Sequence, residues 1–326
     1  MIRLLTTTLI ASFLLLWSGC GETSSGDKKL RIAVIPKGTT HIFWKSVHAG
    51  AKKAENDLGV EIIWQGPLKE SDRQTQIQIV QNFISQNIDA IVLAPLDSRS
   101  LVPVVKSAGK RNLPVVIFDS DLDSDDYQSF VATDNYKGGQ LCAELLAEKM
   151  GNKGKAILMR YLEGSASTTN REQGFLDRMA EIAPDIELIS TNQYAGATIE
   201  RGLQSSQNLL NRFPEVEGIY CPNETSVQAM LRALQTSGKA GKVILVGFDA
   251  NETLIQGIKD GELHGVALQD PFMMGYKGVE TAVKVVRGEP FDKRVDTGVV
   301  MVTKDNMDLP EIQKLLYPEV EKWLGE

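Results

Sequence analysis

Four segments of the chain carry an apolar run that stops on side chains able to hydrogen-bond. "LPVVIFDSD" stops on Asp119, "EGIYCPNE" on Asn223 and Glu224, "KVILVGFDANE" on Asp249, and "HGVALQD" on Gln269 and Asp270. A single residue of this kind is most simply a helix N-cap. Repeated at several strand ends, carboxylates and amides form a set that can pair with vicinal hydroxyl groups, the chemistry of a sugar or polyol. "PKGTTHIFWKSVHAG" adds Phe43 and Trp44 at the start of a helical pattern. An aromatic face covers the apolar C–H face of a pyranose or furanose. One of the two rings is expected to pack into the helix–sheet core and the other to face the ligand.

The elements that must position these groups follow from the hydrophobic pattern. "LRIAVIP", "VEIIWQ", "DAIVLAP", "LPVVIFD", "KAILMR", "IELIST", "GIYCP", "KVILVGFD" and "HGVALQ" are apolar runs of strand length, separated by segments of helical periodicity such as Trp44, Val47, Ala51, Ala54 and Leu58. Runs that are apolar throughout, rather than alternating, imply parallel strands covered by helices on both faces. Nine such runs are too many for one comfortable sheet, so two doubly wound α/β lobes are expected. A (β/α)8 barrel is the competing architecture, and "YQSFVATDNYKGG", which breaks the rhythm midway, argues against it. In open α/β sheets ligands sit beyond the carboxyl ends of the strands. The polar strand ends therefore converge on one face of each lobe.

The chain has 326 residues, 42% hydrophobic and 24% charged, with a formal net charge of −7. That composition is globular and long enough for two domains, and the acidic balance argues against a nucleic-acid or anionic-lipid partner. Arg3 and the apolar run Leu4–Trp17 have the form of a secretory signal, about 14 residues and too short to span a membrane. "LLLWSGC" resembles the lipobox of bacterial lipoproteins, which implies cleavage after residue 19 and acylation of Cys20, with 20–29 as a flexible tether. Trp17 departs from that motif, and an ordinary secretory signal is the alternative. Export to the periplasm or cell surface is expected in either case. Cys142 and Cys221 are expected to be buried free thiols rather than a disulfide. Only His41, His48 and His264 are present, without metal-ligand spacing, and no metal or other cofactor is expected.

Five stretches, "VKSAGKRNLPVVIFDSD", "ATDNYKGGQLCAELLAEKM", "NREQGF", "LRALQTSGKAGKVILVGFDAN" and "QDPFMMGYKGVETAVKVVRGE", resemble in order and spacing the type I periplasmic binding proteins of ABC sugar importers, in particular the ribose-binding subfamily. The resemblance runs from about Leu30 to Val302. It implies two lobes joined by three crossings near Asp134, Gln269–Asp270 and Thr297–Gly298, with the ligand in the cleft between them. The lobes would comprise 30–133 plus 270–296, and 134–269 plus 297–326 with a terminal helix. It also implies ligand contacts at His41, Phe43, Trp44, Asp119, Arg171, Asn223, Asp249 and Gln269, membrane permease subunits as partners, and a monomer.

The chain departs from the family at three places. Ser120 stands where the ribose receptors carry an Arg, and His41 replaces an amide or carboxylate. Ala197 falls where the second lobe normally has an aromatic wall, for which Tyr194 is the nearby substitute. Another pentose, a hexose or a polyol is therefore as well matched as ribose. No dinucleotide, nucleophile-elbow or phosphate-loop motif is present, and an enzyme is not expected. A DNA-binding regulator built on the same lobes is disfavoured by the leader and the charge. A receptor that signals to a chemotaxis protein or sensor kinase, rather than to a permease, remains open at this stage.

Overall fold

The computed structural model describes residues 29–325. The chain folds into two open six-stranded sheets. The first contains β1 (Arg31–Ile35), β2 (Glu61–Trp64), β3 (Ala90–Leu93), β4 (Val115–Phe118) and β5 (Ser129–Ala132), with β11 (Arg294–Asp296) added at its edge. Its order is β11-β5-β4-β3-β1-β2, and every pair is parallel. The second contains β6 (Gly154–Arg160), β7 (Ile186–Tyr194), β8 (Gly218–Tyr220), β9 (Ile244–Phe248), β10 (Gly265–Gln269) and β12 (Val299–Val302). Its order is β12-β10-β9-β8-β6-β7, parallel except for β12 against β10. The two orders are the same pattern repeated, so the lobes are structural duplicates.

The helices are α1 (Ile42–Leu58), α2 (Arg73–Ser85), α3 (Val102–Gly109), α4 (Asn135–Lys149), α5 (Ala166–Ile182), α6 (Ile199–Arg212), α7 (Glu224–Thr236), α8 (Glu252–Asp260), α9 (Pro271–Arg287), α10 (Pro310–Leu316) and α11 (Val320–Leu324). The chain leaves the first sheet after β5 and α4 packs on the second lobe. It leaves the second sheet after β10 and α9 packs against α1 on the first. The third passage, between β11 and β12, turns at Thr297–Gly298, where Thr133 Oγ1 donates to the Gly298 carbonyl at 3.1 Å.

Each lobe places its crossing helix against the helix of its first strand, and both contacts are made by glycine. A Cβ on Gly139 of α4 would lie 2.0 Å from the Arg171 carbonyl oxygen of α5, and one on Gly174 of α5 would lie 2.1 Å from that of Tyr136. Gly50 and Gly275 meet in the same way between α1 and α9. Backbones approach this closely only where no side chain intervenes, and that approach sets the start of α5 relative to the second sheet.

Three strands went unrecognised as apolar runs. β5 is four residues long, "SFVA", and lies inside the segment that interrupts the rhythm. β11 and β12 are short edge strands, and β11, "RVD", shows little burial. The C-terminal segment also differs from expectation. It forms two short helices, not one, and it does not belong wholly to the second lobe. Ile312 and Leu316 of α10 join that lobe's core, but α11 packs against α1 of the first lobe, with Lys53 Nζ 5.7 Å from the Trp323 ring centroid. Tyr317 and Pro318, between the two helices, stop the first and redirect the chain.

Among the described residues Cys142 and Cys221 are both buried and form no disulfide, as expected. Burial pushes the Cys142 thiol up to about 12. Among the described residues no helix is long and apolar enough to cross a membrane. The leader, the tether and Cys20 lie outside the described residues.

Candidate functional site

All eight residues named from the sequence, His41, Phe43, Trp44, Asp119, Arg171, Asn223, Asp249 and Gln269, line one narrow cavity of about 40 Å³ between the lobes. His41, Asp119, Asn223, Asp249 and Gln269 come from strand ends and the loops that follow, Phe43 and Trp44 from the first turn of α1, and Arg171 from α5. A larger groove of about 730 Å³, lined by Arg73, Asp97, Arg99 and Glu163, runs along the lip of the cleft. It is open to solvent and none of the eight residues lines it.

Asp119 and Asp249 occupy equivalent positions, after Phe118 at the end of β4 and after Phe248 at the end of β9. Each is in the left-handed region, with φ of 59° and 66°. Each donates its N–H to the next strand, Asp119 to Val131 O and Asp249 to Ala267 O. That conformation is uncommon for a residue with a side chain. Neither Asp caps a helix, unlike Asp270, which accepts from Met273 N at 2.8 Å, and Asn223, whose Oδ1 forms a capping box with Ser226. Capping thus accounts for part of the polar pattern at strand ends, though not for the two aspartates.

On the first lobe, Lys37 Nζ lies 2.7 Å from Asp119 Oδ2 and donates to Ser167 Oγ of the second lobe at 3.0 Å. Ser120 Oγ accepts from Ser167 N at 3.0 Å. The cation absent at position 120 is therefore supplied by Lys37, two residues beyond β1. Trp44 is the ring that packs inward, 2% exposed and 6.1 Å from Phe118 edge to face. Phe43 is partly buried and stands at 88° to Trp44.

On the second lobe, Arg171 is fixed by four neighbours. Nε donates to Asn135 Oδ1 at 2.8 Å and Nη1 to the Pro222 carbonyl at 3.0 Å. Nη1 lies 3.6 Å from Asp249 Oδ2, and the guanidinium carbon sits 3.8 Å over the Phe248 ring. Gln269 Nε2 donates to Asp249 Oδ1 at 2.7 Å. Burial pushes the Asp249 carboxyl upward, while Arg171 and Gln269 act to hold it ionised.

Sequence reasoning passed over Lys37, Glu70, Tyr161, Ser165, Ser167 and Thr168, and it noted Glu224 without placing it in the site. Glu70 joins both lobes. Its Oε1 accepts from Trp44 Nε1 at 2.7 Å and lies 3.3 Å from His41 Nδ1, and its Oε2 accepts from Tyr161 OH at 2.8 Å. Glu70 sits in the irregular loop "GPLKESD" after β2, and Tyr161 follows β6, so no periodicity marks either. Tyr161, not Tyr194, is the second lobe's aromatic residue in the cavity. Tyr194, the expected substitute, is 44% exposed at the end of edge strand β7, and its role as an aromatic wall is withdrawn.

Burial opposes the His41 imidazolium, but the Glu70 hydrogen bond and charge outweigh it and raise His41 to about 9. Burial likewise opposes the Glu70 carboxylate, yet His41, Lys37 and Trp44 lower it to about 2. For His41 the raised value gives stability that is fully present below about 6.5 and is lost as pH rises through about 9. Replacing Glu70 by Gln removes the charge that sustains the imidazolium. His41 is then expected to titrate well below about 9, because burial remains and only the weaker charges of Glu224 and Asp249 oppose it, and NMR titration of the three histidines resolves this. A His41 that still titrates near 9 in Glu70→Gln contradicts the pairing.

Two duplicated α/β lobes closed over a buried polar cavity define a binding protein of the cleft-closing kind. The comparisons give the family. A family model describing a periplasmic binding protein domain matches residues 32–290, and the chain belongs to that family, among its ribose-binding-like members. It is 32% identical to the D-ribose/D-allose-binding protein of Pseudomonas aeruginosa over 91% of this chain and 95% of that one. The solved ABC transporter solute-binding protein of Agrobacterium vitis with bound D-fucose is 38% identical, with a TM-score of 0.84 over 88% of this chain and all of that one. A carbohydrate transporter solute-binding protein of Agrobacterium radiobacter in complex with D-arabinose is 33% identical, with a TM-score of 0.86 over 89% of this chain and 99% of that one. These relatives are binding proteins, not enzymes.

Proposed function

We propose that this protein is the extracytoplasmic receptor of an ABC-type importer, capturing a monosaccharide or related polyol by lobe closure and delivering it to membrane permease subunits. One observation carries the reading. Ser165 Oγ, Glu224 Oε2 and Gln269 Oε1 are buried without a hydrogen-bond partner among the described residues, and all three residues line the aromatic-walled cavity. Among the described residues Tyr220 OH and Trp323 Nε1 are also without a partner, but only in this cavity do such atoms cluster, and buried polar atoms in folded proteins are as a rule paired. Hydroxyl groups of a sugar satisfy such atoms, and Phe43, Trp44 and Tyr161 supply the apolar surface for its C–H face. The ligands of these relatives, D-ribose, D-allose, D-arabinose and D-fucose, support the same class.

In this reading the sugar bridges Asp119, Lys37 and the aromatics of one lobe to Arg171, Asn223, Asp249 and Gln269 of the other. Contacts made only in the closed form shift the population toward it. Lys37–Ser167, Ser120–Ser167 and Glu70–Tyr161 then add protein–protein bonds across the cleft. Export, and anchoring by acylation of Cys20, complete the proposal.

The test is thermal unfolding of the chain beginning after Cys20, unfolded and refolded first to strip retained ligand. Its partners are a panel of pentoses, hexoses and polyols. A true ligand at about 100 Kd adds about 2.7 kcal/mol of stability and raises Tm by several degrees. A panel without a shift removes simple sugars as the ligand class.

A further inference from the structure

Glu224 is the first residue of α7, and its side chain is held at one oxygen only. Oε1 accepts from Asn251 Nδ2 at 2.9 Å, and the same Nδ2 lies 3.1 Å from Gln228 Oε1. Among the described residues Oε2 is buried without a hydrogen-bond partner, in a residue that lines the cavity. Gln269 repeats the arrangement, with Nε2 fixed on Asp249 and Oε1 unpartnered. The second lobe thus presents two acceptors, each immobilised through its other polar atom. An anchored acceptor loses little side-chain freedom when a donor arrives, and an unpartnered one is costly to keep buried.

We propose that Glu224 is a ligand-contacting, specificity-determining residue whose Oε2 accepts a hydroxyl of the captured sugar, with Gln269 Oε1 as a second fixed acceptor. This rests on the sugar-capture reading and narrows its ligand class. The sugar must turn at least two free O–H donors toward the second lobe. A sugar deoxygenated or O-methylated at that position loses one of these bonds, and a carboxylate there meets like charge.

The groups that act electrostatically on Glu224 are His41 and Glu70 of the first lobe and Asp249 at the end of β9. Burial, with the like charges of Asp249 and Glu70, raises its carboxyl to about 7 against the Asn251 bond and His41. An ionised carboxylate is the stronger acceptor, and a hydroxyl donated to it lowers its pKa on binding. By linkage, affinity then rises with pH through that range.

The experiment is calorimetric titration of wild type and Glu224→Gln at about pH 5.5 and about pH 8, bracketing this carboxyl. The sugars are D-ribose, D-allose, D-arabinose, D-fucose and xylitol, with monodeoxy forms of whichever binds. Gln can still accept from Asn251 through Oε1, so the fold is expected to persist, and unfolding curves verify that. Wild-type affinity is expected to rise about tenfold over this pH span, while Glu224→Gln is flat and about tenfold weaker at the upper pH. One monodeoxy sugar should bind poorly to wild type and show no further loss in the variant. Glu224→Gln affinities within about twofold of wild type at both pH values, or a pH rise that survives in the variant, overturn the assignment while the sugar-capture reading stands. No binding by wild type defeats that reading, and the Glu224 assignment with it.

Discussion

Asp249→Ala is expected to weaken ligand binding by about 2–5 kcal/mol, at least about 30-fold in Kd. The size follows from what is left behind. Asp249 Oδ1 holds Gln269 Nε2 at 2.7 Å, and Oδ2 faces Arg171 Nη1 at 3.6 Å. Removing the carboxylate leaves a guanidinium that is 2% exposed without its counter-charge and frees Gln269 to rotate, which displaces one of the two fixed acceptors. Asp249 is also in the left-handed region, so Ala is strained there and some loss of stability accompanies the loss of binding. Asp249→Asn separates the two effects. It keeps the shape and suits the left-handed backbone, and it exchanges the charge and one acceptor oxygen for an amide donor. Calorimetry of both variants with the sugar that stabilises wild type measures the difference. Affinity within about twofold of wild type in Asp249→Ala removes Asp249 from the site.

Gly139→Val is expected to destabilise the protein by about 3 kcal/mol or more, or to prevent folding. The new Cβ would sit 2.0 Å from the Arg171 carbonyl oxygen, an atom fixed in the middle of α5. A flexible side chain can move aside, but a helix backbone cannot without carrying its neighbours. Separation of α4 from α5 would also move Arg171 relative to Asp249 and Pro222, so a folded variant should bind weakly as well. The contrast is Gly109, the last residue of α3, where a Cβ meets nothing within 4 Å and φ is not positive. Gly109→Ala should raise stability by about 0.4–1 kcal/mol. Denaturant unfolding of the two variants checks the pair. A Gly139→Val protein as stable as wild type is incompatible with the helix contact described here.

The nine apolar runs, their α/β alternation and the strand-end placement of Asp119, Asp249, Asn223 and Gln269 are local properties, written in periodicity and in residue type. They imply parallel strands and therefore a ligand face at the carboxyl ends, which points to six of the eight residues, while His41 and Arg171 were implied only by the resemblance to the periplasmic binding proteins. The tertiary structure decided the rest. Glu70 lies in a loop without period, Tyr161 and Ser165 precede a helix in an irregular turn, and Lys37 lies just past a strand. Nothing in their own neighbourhoods marks them. They become part of the cavity only because closure brings the loop after β2 to the loop after β6, 91 residues apart at the Tyr161–Glu70 bond. The same holds for the choice of Tyr161 over Tyr194. Tyr161 follows β6 and Tyr194 is the last residue of β7, but β6 lies inside the sheet and β7 forms its exposed edge. Local sequence sets which side chains stand at strand ends. Sheet order and lobe closure set which of them meet, because those contacts depend on pairings distant in the chain.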